Sequence, residues 1–365
     1  MSIIENFRLK HKLGQGGDGT VYAYEHIHTK LLIAAKMPSK YHTGSALCIR
    51  DEIANFKKLG NHAHLVQAFE CRPGTETIKP SILLEYCELG DLPSYRDRWA
   101  VEQYLQGTRN GLPEATIWKL LRDISLGLDF IHNGHAQRYV HGDLKCSNIL
   151  VTPPAGWIGP ALPAEPDFKI ADFARLSTYP AQSLRHAQKW TGTPEYAPPQ
   201  VEQEAQVKPS ADMWSLGAII QVTALGEFPL ESKKAYKRRY EQRRQRGETV
   251  PAFHGWNHDL TRNDRRTVYR PICETEQILR LWHDFCETGS LAGFQPYSPA
   301  LESWYSTLWN TQENMRMTSA DLVKYAVPLV DRNIAIQDRM RHAYRAFEEA
   351  KRFREEQAMC HDYEM

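Results

Sequence analysis

The chain has 365 residues, 42% of them hydrophobic and 24% charged, with 45 Lys+Arg against 44 Asp+Glu. That length accommodates one large two-lobed domain or two ordinary ones, and the composition is that of a soluble globular protein. The balanced charge lacks the basic excess of a nucleic-acid-binding domain, so nucleic acid is not expected as a partner. The opening MSIIENFRLK has no basic stretch followed by an apolar run, and no segment approaches 18 uninterrupted apolar residues. Neither a secretory leader nor a membrane-spanning helix is therefore expected. The cysteines at 48, 71, 87, 146, 273, 286 and 360 form no CxxC pair; they are expected as free thiols in a reducing compartment, cytoplasmic or nuclear.

The first 85 residues read as short strands around one helix. Phe7 to Leu13, Thr20 to Glu25 and Leu31 to Met37 are apolar runs punctuated by Gly or polar turns. Ile49, Ile53, Phe56 and Leu59 recur at helical spacing, and two further strand-like runs follow, Leu65 to Cys71 and Ser81 to Tyr86. After Gly90 the pattern turns helical. Ala115 to His132 places Ile117, Leu120, Leu121, Ile124, Leu128 and Ile131 on one face, and Met213 to Leu225 is almost wholly apolar. A small β-rich lobe thus precedes a larger helical one. Pro153 to Pro166 carries five prolines and must be a loop, Lys233 to Arg246 holds eight basic residues against one acid, and Asp331 to Gln357 reads as a charged helix with Ile336, Met340, Ala343, Phe347 and Ala350 in one stripe.

Chemistry concentrates at four places. Gly14, Gly16, Gly17 and Gly19 form a glycine-rich turn between two strand-like runs, where backbone N–H groups can approach phosphate oxygens without an intervening side chain. Dinucleotide-binding folds use a similar string, but there a helix follows, whereas Thr20-Val-Tyr-Ala-Tyr reads as strand. Next, Ala34-Ala35-Lys36 ends an apolar run, so Lys36 can meet the α- and β-phosphates; Glu52, on the expected helix, is the carboxylate to hold it. The segment Tyr139 to Leu150 carries Asp143, Lys145 and Asn148, able to orient a hydroxyl, offset γ-phosphate charge and hold a metal within one loop. Asp172, after the run Lys169-Ile-Ala, offers oxygen to Mg²⁺.

With Gly192-Thr193-Pro194-Glu195-Tyr196 and Asp212-Met-Trp214-Ser215-Leu-Gly217 added in order, the sequence from about residue 7 to 325 resembles the eukaryotic protein kinase family. The resemblance implies an α+β fold, with an antiparallel β-rich N-lobe over 1–84, a hinge at 85–91, a mainly helical C-lobe over 92–330 with inserts near 153–166 and 231–275, and a charged helix and tail over 331–365. It implies ATP bound between the lobes with Mg²⁺, and a protein substrate. Lys36 and Glu52 would form the ion pair that positions ATP. Glu85 and Cys87 would supply main-chain contacts to adenine, with Leu84 at the gatekeeper position, Asp91 near the ribose, and Val21, Ala34 and Leu150 sandwiching the base. Asp143 would orient or deprotonate the hydroxyl, Lys145 neutralise the γ-phosphate, and Asn148 and Asp172 hold the metal ions. Phe56, His141 and Phe173 would stack between the lobes, and Asp212 would brace the catalytic loop. Lys145 and Thr193 resemble the serine/threonine branch.

Three positions depart from the family pattern: Gly142 stands for the usual arginine, Ala174 for glycine, and Pro198-Pro199-Gln200 for Ala-Pro-Glu. Gln200 would then face a late arginine, for which Arg316 is the candidate, through an amide instead of a carboxylate. Gly142 offers no cation for a phosphate on the activation loop, and Lys189 occupies the position where many relatives carry the phosphorylated threonine, so activity without loop phosphorylation is expected. Two other readings stay open: a pseudokinase scaffold, and a small-molecule phosphotransferase, which would share the His141-Gly142-Asp143 string. The basic run over 233–246 is either a solvated helix face or disordered insert, or a docking surface for an acidic or phosphorylated partner or a nuclear-localisation patch. The tail helix is expected to pack on its own C-lobe. Oligomeric state is not legible.

Overall fold

The computed structural model describes residues 6–336 except 40, 43, 76–77, 108–110, 232, 249–265 and 275–295, together with residue 339. Five antiparallel strands open the chain: Phe7–Gln15 (β1), Thr20–His26 (β2), Leu32–Met37 (β3), Ala68–Arg72 (β4) and Ser81–Glu85 (β5), in the spatial order β1-β2-β3-β5-β4. Helix Ser45–Leu59 (α1) lies against this sheet, burying Ile49, Ile53, Phe56 and Leu59. It stops at Gly60, whose φ of 70° suits only a residue without a side chain.

The second lobe is built on two helices. Glu114–Asn133 (α3), which follows Leu92–Leu105 (α2), buries Ile117, Leu120, Leu121, Ile124, Leu128 and Ile131. Pro209–Leu225 (α5) is buried on every side from Ala211 to Leu225, which is why it shows no polar face. Small strands frame the cleft: Gly90–Asp91 (β6), Ile149–Thr152 (β8) and Asp167–Ile170 (β9) form one sheet, while Arg138–Val140 (β7) pairs with Ser177–Tyr179 (β10). Gly127 lets α3 approach β9 closely, since a Cβ there would sit 2.9 Å from Ile170 Cδ1 and 3.0 Å from His64 O. One hydrophobic core runs from α1 through β8 and β9 to α5.

The proline-rich stretch over 153–166 is a loop between β8 and β9, tied down where Tyr95 Oη donates to Pro163 O (2.6 Å) and Leu162 N to Glu102 Oε2 (3.2 Å). The basic run folds as a helix, Lys233–Gln245 (α6), beyond the short helix Gln200–Glu204 (α4). Tyr236 anchors α6 in the interior, and Arg239 Nη2 pairs with Glu231 at 2.5 Å. Two helices close the lobe. Pro299–Thr307 (α7) is capped by Ser298 Oγ, and the last begins at Ser319–Asp321 (α8) with a reciprocal Thr318/Asp321 capping box. It passes through a widened turn at Leu322–Ala326 and continues over 327–336.

Val327 and Val330 of that helix are buried and Asp331 pairs with Arg122 of α3, whereas Ile336, first member of the expected tail stripe, is 42% exposed. The other stripe residues, Cys286 and Cys360 lie outside the described residues; the remaining five cysteines are free thiols. Among the described residues no helix is long and apolar enough to cross a membrane.

One expectation is corrected. Arg316 does not meet Gln200, whose amide donates to Glu204 Oε1 on the surface (3.0 Å). Its guanidinium forks onto Glu202, Nη1 to Oε2 at 2.9 Å and Nη2 to Oε1 at 2.6 Å, with both side chains buried. The carboxylate has moved two residues along, because α4 starts at Gln200 and turns Glu202 inward. The same guanidinium lies 4.9 Å from the Trp214 ring centroid, a cation–π contact that holds α4 onto α5.

Candidate active site

The sheet aims the first group of residues. Val21 pairs with Lys36 across β2 and β3, and Ala34 with Leu84 across β3 and β5. Strand alternation then sets Val21, Ala34 and Lys36 on one face. Asp91 pairs with Leu150 across β6 and β8, which forms the opposite wall. A Cβ on Gly14, Gly16 or Gly17 would meet nothing within 4 Å, so the β1–β2 turn is open to a ligand there. Gly19 has a different reason. A Cβ would sit 2.7 Å from Met37 O, so this glycine allows β2 to meet β3.

Lys36 Nζ lies 2.7 Å from Glu52 Oε2 on α1 and 2.9 Å from Asp172 Oδ1 just beyond β9, almost fully buried. Burial pushes the ammonium's pKa down, but the two carboxylates outweigh it and hold the pKa above the ordinary lysine value. Burial pushes the Glu52 carboxyl up to about 7 against the pull of Lys36. Asp172 is half-buried, which pushes its carboxyl up, yet the same lysine and its hydrogen bond keep it below the usual range. Asp172 has φ 67°, an uncommon conformation for a non-glycine residue. Ala174 is not among the positive-φ residues, so the alanine there strains nothing in this state.

The catalytic loop is fixed from below. Asp212 on α5, fully buried, accepts from His141 N (2.8 Å) and Gly142 N (3.0 Å) and pairs with His132 Nε2 (2.9 Å). Burial raises its carboxyl, but the bonds and charges of His132, His141 and Gly142 win and hold it below the usual range. His141 lies edge-on to Phe173 at 5.6 Å, and Phe173 to Phe56 of α1 at 5.1 Å, joining the lobes. Asn55 adds a hydrogen bond to Phe173 O (2.8 Å).

Held this way, Asp143 accepts at Oδ1 from Thr193 N (2.8 Å) and Thr193 Oγ1 (2.7 Å), and at Oδ2 from Lys145 Nζ (2.9 Å). Lys145 also reaches Thr193 Oγ1 (3.1 Å). Asn148 donates its amide to Asp143 O (2.9 Å), which leaves the amide oxygen as its acceptor. Gly142, at φ 77°, presents no side chain. Arg175 approaches instead, its Nε 3.7 Å from Asp143 Oδ2, while its Nη1 donates to Thr191 O. Nothing in the sequence around Arg175 announced that position; the turn after Phe173 determines it.

At the hinge, the Glu85 N–H is taken by Gln67 O (2.9 Å), so only its carbonyl can serve a purine. Its carboxylate is gripped by Lys169 Nζ (2.7 and 2.9 Å) and Gln67 N (2.7 Å). Cys87 O accepts from Gly90 N (3.1 Å), and burial pushes the Cys87 thiol up to about 12. Asp91 Oδ1 caps α2 through Ser94 N (2.9 Å), leaving one oxygen for a ligand.

These residues fit a magnesium nucleotide. An open glycine turn faces a buried lysine, and one carboxylate and one amide oxygen stand nearby. Among the described residues no three His, Cys, Asp or Glu cluster as a cage; a hard cation here would take its other ligands from phosphate and water, as Mg²⁺ does. Fold and site together define a phosphoryl-transfer domain with its cleft between two lobes. The sequence matches the protein kinase domain over residues 7–327, and the chain belongs to that family, which generally uses ATP and Mg²⁺. It is similar to curated fungal proteins named serine/threonine-protein kinase ATG1: 27% identical over 261 residues in Sclerotinia sclerotiorum and 28% over 262 in Botryotinia fuckeliana, each covering 63% of this chain and 27% of the relative. The Pichia angusta protein is 26% identical over 255 residues, 63% of this chain and 30% of the relative. The matched region thus spans under a third of those relatives' length.

Proposed function

We propose that the chain is a serine/threonine protein kinase that transfers the γ-phosphate of ATP to a protein hydroxyl. The observation that carries this is the pairing of two complete arrangements: Lys36 held by Glu52 and Asp172, and Asp143 oriented by Thr193 and Lys145. Bound Mg-ATP supplies the phosphoryl group and part of the charge neutralisation. Asp143 accepts the hydrogen bond of the incoming hydroxyl and orients its lone pair for in-line attack. Lys145 would offset charge that develops on the transferring group, Lys36 would fix the phosphates, and Asn148 and Asp172 would hold the cation. The test is transfer of radiolabelled γ-phosphate to a generic protein substrate with phosphoamino-acid analysis. Lys36→Met, Asp143→Asn and Asp172→Asn should each reduce it by orders of magnitude; an Asp143→Asn protein as active as wild type would refute the mechanism.

The kinase is further proposed to act without phosphorylation of its activation loop. Gly142 has no side chain to receive a phosphate, Lys189 is held in a bridge to Gln206, and Arg175 already ties the loop at Thr191 to the catalytic carboxylate. A cation supplied by the loop's own start thus stands where phosphate-dependent ordering would otherwise act. Helix α6 is proposed to dock an acidic or phosphorylated protein, on the strength of exposed Lys237, Arg238 and Arg244.

A further inference from the structure

The activation loop leaves β10 and comes back to the catalytic loop at Thr193, and between those points an apolar contact fastens it. Trp190 packs against Val140 of β7, Val207 just before α5 and Ala211 of α5, three residues that are at most 3% exposed. The main chain leading into Trp190 is stitched to the same wall. Val207 N donates to Gln188 O (2.8 Å), Lys189 bridges to Gln206, and Gln206 Nε2 donates to Thr178 O (3.3 Å). Tyr179, at the end of β10, packs on the same cluster, so both ends of the loop rest on it.

The contact reaches the catalytic loop through two glycines. A Cβ on Gly192 would sit 2.7 Å from Gly142 O and 2.7 and 2.8 Å from Trp190 Cζ2 and Cε2. The indole and the Gly142 carbonyl thus fill the space that a side chain at 192 would need, and the two loops touch backbone to backbone. Gly142 precedes Asp143, and Thr193, which follows Gly192, gives Asp143 Oδ1 two hydrogen bonds. Movement of Trp190 is therefore passed over three residues to the carboxylate that orients the hydroxyl. A phosphate held by a guanidinium orders a loop through charge. Here Gly142 has no side chain to offer, and an aromatic ring carries enough apolar area to hold a loop by leaving water.

Resting on the reading of a kinase that needs no phosphate on its activation loop, we propose that Trp190 is the positioning residue that holds this loop against the catalytic loop, an uncharged contact in place of a phosphate–arginine pair. The experiment uses the phosphatase-treated chain, with kcat and the KM for ATP measured separately on a generic protein substrate. Trp190→Ala should lower kcat about tenfold or more, because Asp143 loses the register of Thr193. The KM for ATP should stay near wild type, since Lys36, Glu52 and Asp172 stand apart from the contact, and Trp190→Phe should recover most of the rate. Val207→Ala trims the wall from outside the loop and should lower kcat severalfold; in that background Trp190→Ala should cost less than in wild type. Amide exchange around Thr193 and Val207 should quicken in Trp190→Ala while α3 exchanges as in wild type, which separates a loosened loop from a failing fold. Unchanged kcat in Trp190→Ala, fully additive losses in the double variant, or exchange that quickens equally in α3 would overturn the assignment. A wild type that transfers nothing after phosphatase treatment would instead count against the reading this rests on, and exchange around Thr193 would still decide whether Trp190 holds the loop.

Discussion

At the scale of single residues, the Lys36, Glu52 and Asp172 cluster makes a pH prediction. Lys36 keeps its proton throughout the working range, because two carboxylates face it. Glu52 is the member that titrates, since burial lifts it to about 7. As pH falls through that value Glu52 takes a proton, Lys36 loses its main partner, and the ammonium swings more freely on its stem. The kcat/KM for ATP should fall below pH 7, approaching about tenfold per pH unit, and Glu52→Gln should start low and lose this limb. An ATP profile flat from pH 5.5 to 8 in the wild type would dismiss it. Stability carries the opposite sign. The folded carboxyl keeps its proton up to about 7, against 4.5 for the ordinary glutamate, so this group makes the fold less stable as pH climbs between those values.

At the scale of elements, α4 is held to the rest of the lobe by one buried charge pair. Glu202 and Arg316 are both nearly inaccessible, and removing either partner strands the other. Glu202→Ala or Arg316→Ala should cost about 3–5 kcal/mol in chemical denaturation. Gln200→Ala should stay within about 0.5 kcal/mol, since its contact lies on the surface. Equal effects at 200 and 202 would reverse the assignment. Helix α6 divides its charges in a similar way. Arg239 and Arg243 are engaged by Glu231 and Glu248, whereas Lys237, Arg238 and Arg244 are exposed on the helix, with Arg246 exposed just past its end. Replacing the four exposed cations by Gln should weaken capture of an acidic or phosphorylated peptide and flatten its salt dependence, with ATP hydrolysis intact. Binding indifferent to salt and to the four changes would return α6 to a solvated face.

For the whole molecule, the two lobes already meet in a working arrangement: α1 delivers Glu52 to Lys36, and the stack of Phe56, Phe173 and His141 is closed. Phosphatase-treated protein should therefore phosphorylate an exogenous substrate at near its full initial rate. A long lag, abolished by phosphate on Ser183 or Thr191, would show that the loop still needs a phosphate. Arg175→Ala should expose the dependence on the internal cation by lowering the initial rate severalfold, with thermal melting reporting separately on the fold.

How much of this was legible depended on the range of the interaction. The order of strands and helices, the position of the cleft and the identities of Lys36, Glu52, Asp143, Asn148 and Asp172 were readable, because periodicity is local and the glycine turn and catalytic loop are contiguous strings. Asp91 caps α2, a role written in Asp-Leu-Pro-Ser itself. Contacts between segments distant in sequence were not. Arg316 meets a residue 114 positions away, and choosing Glu202 over Gln200 required knowing which way α4 turns. Arg175 reaches Asp143 only because the chain folds back after Phe173. Residue types and their spacing along the chain determined the chemistry this protein carries. Tertiary packing alone decided which charges pair, because an ion pair forms with whatever the fold brings within about 4 Å, whatever its distance along the chain.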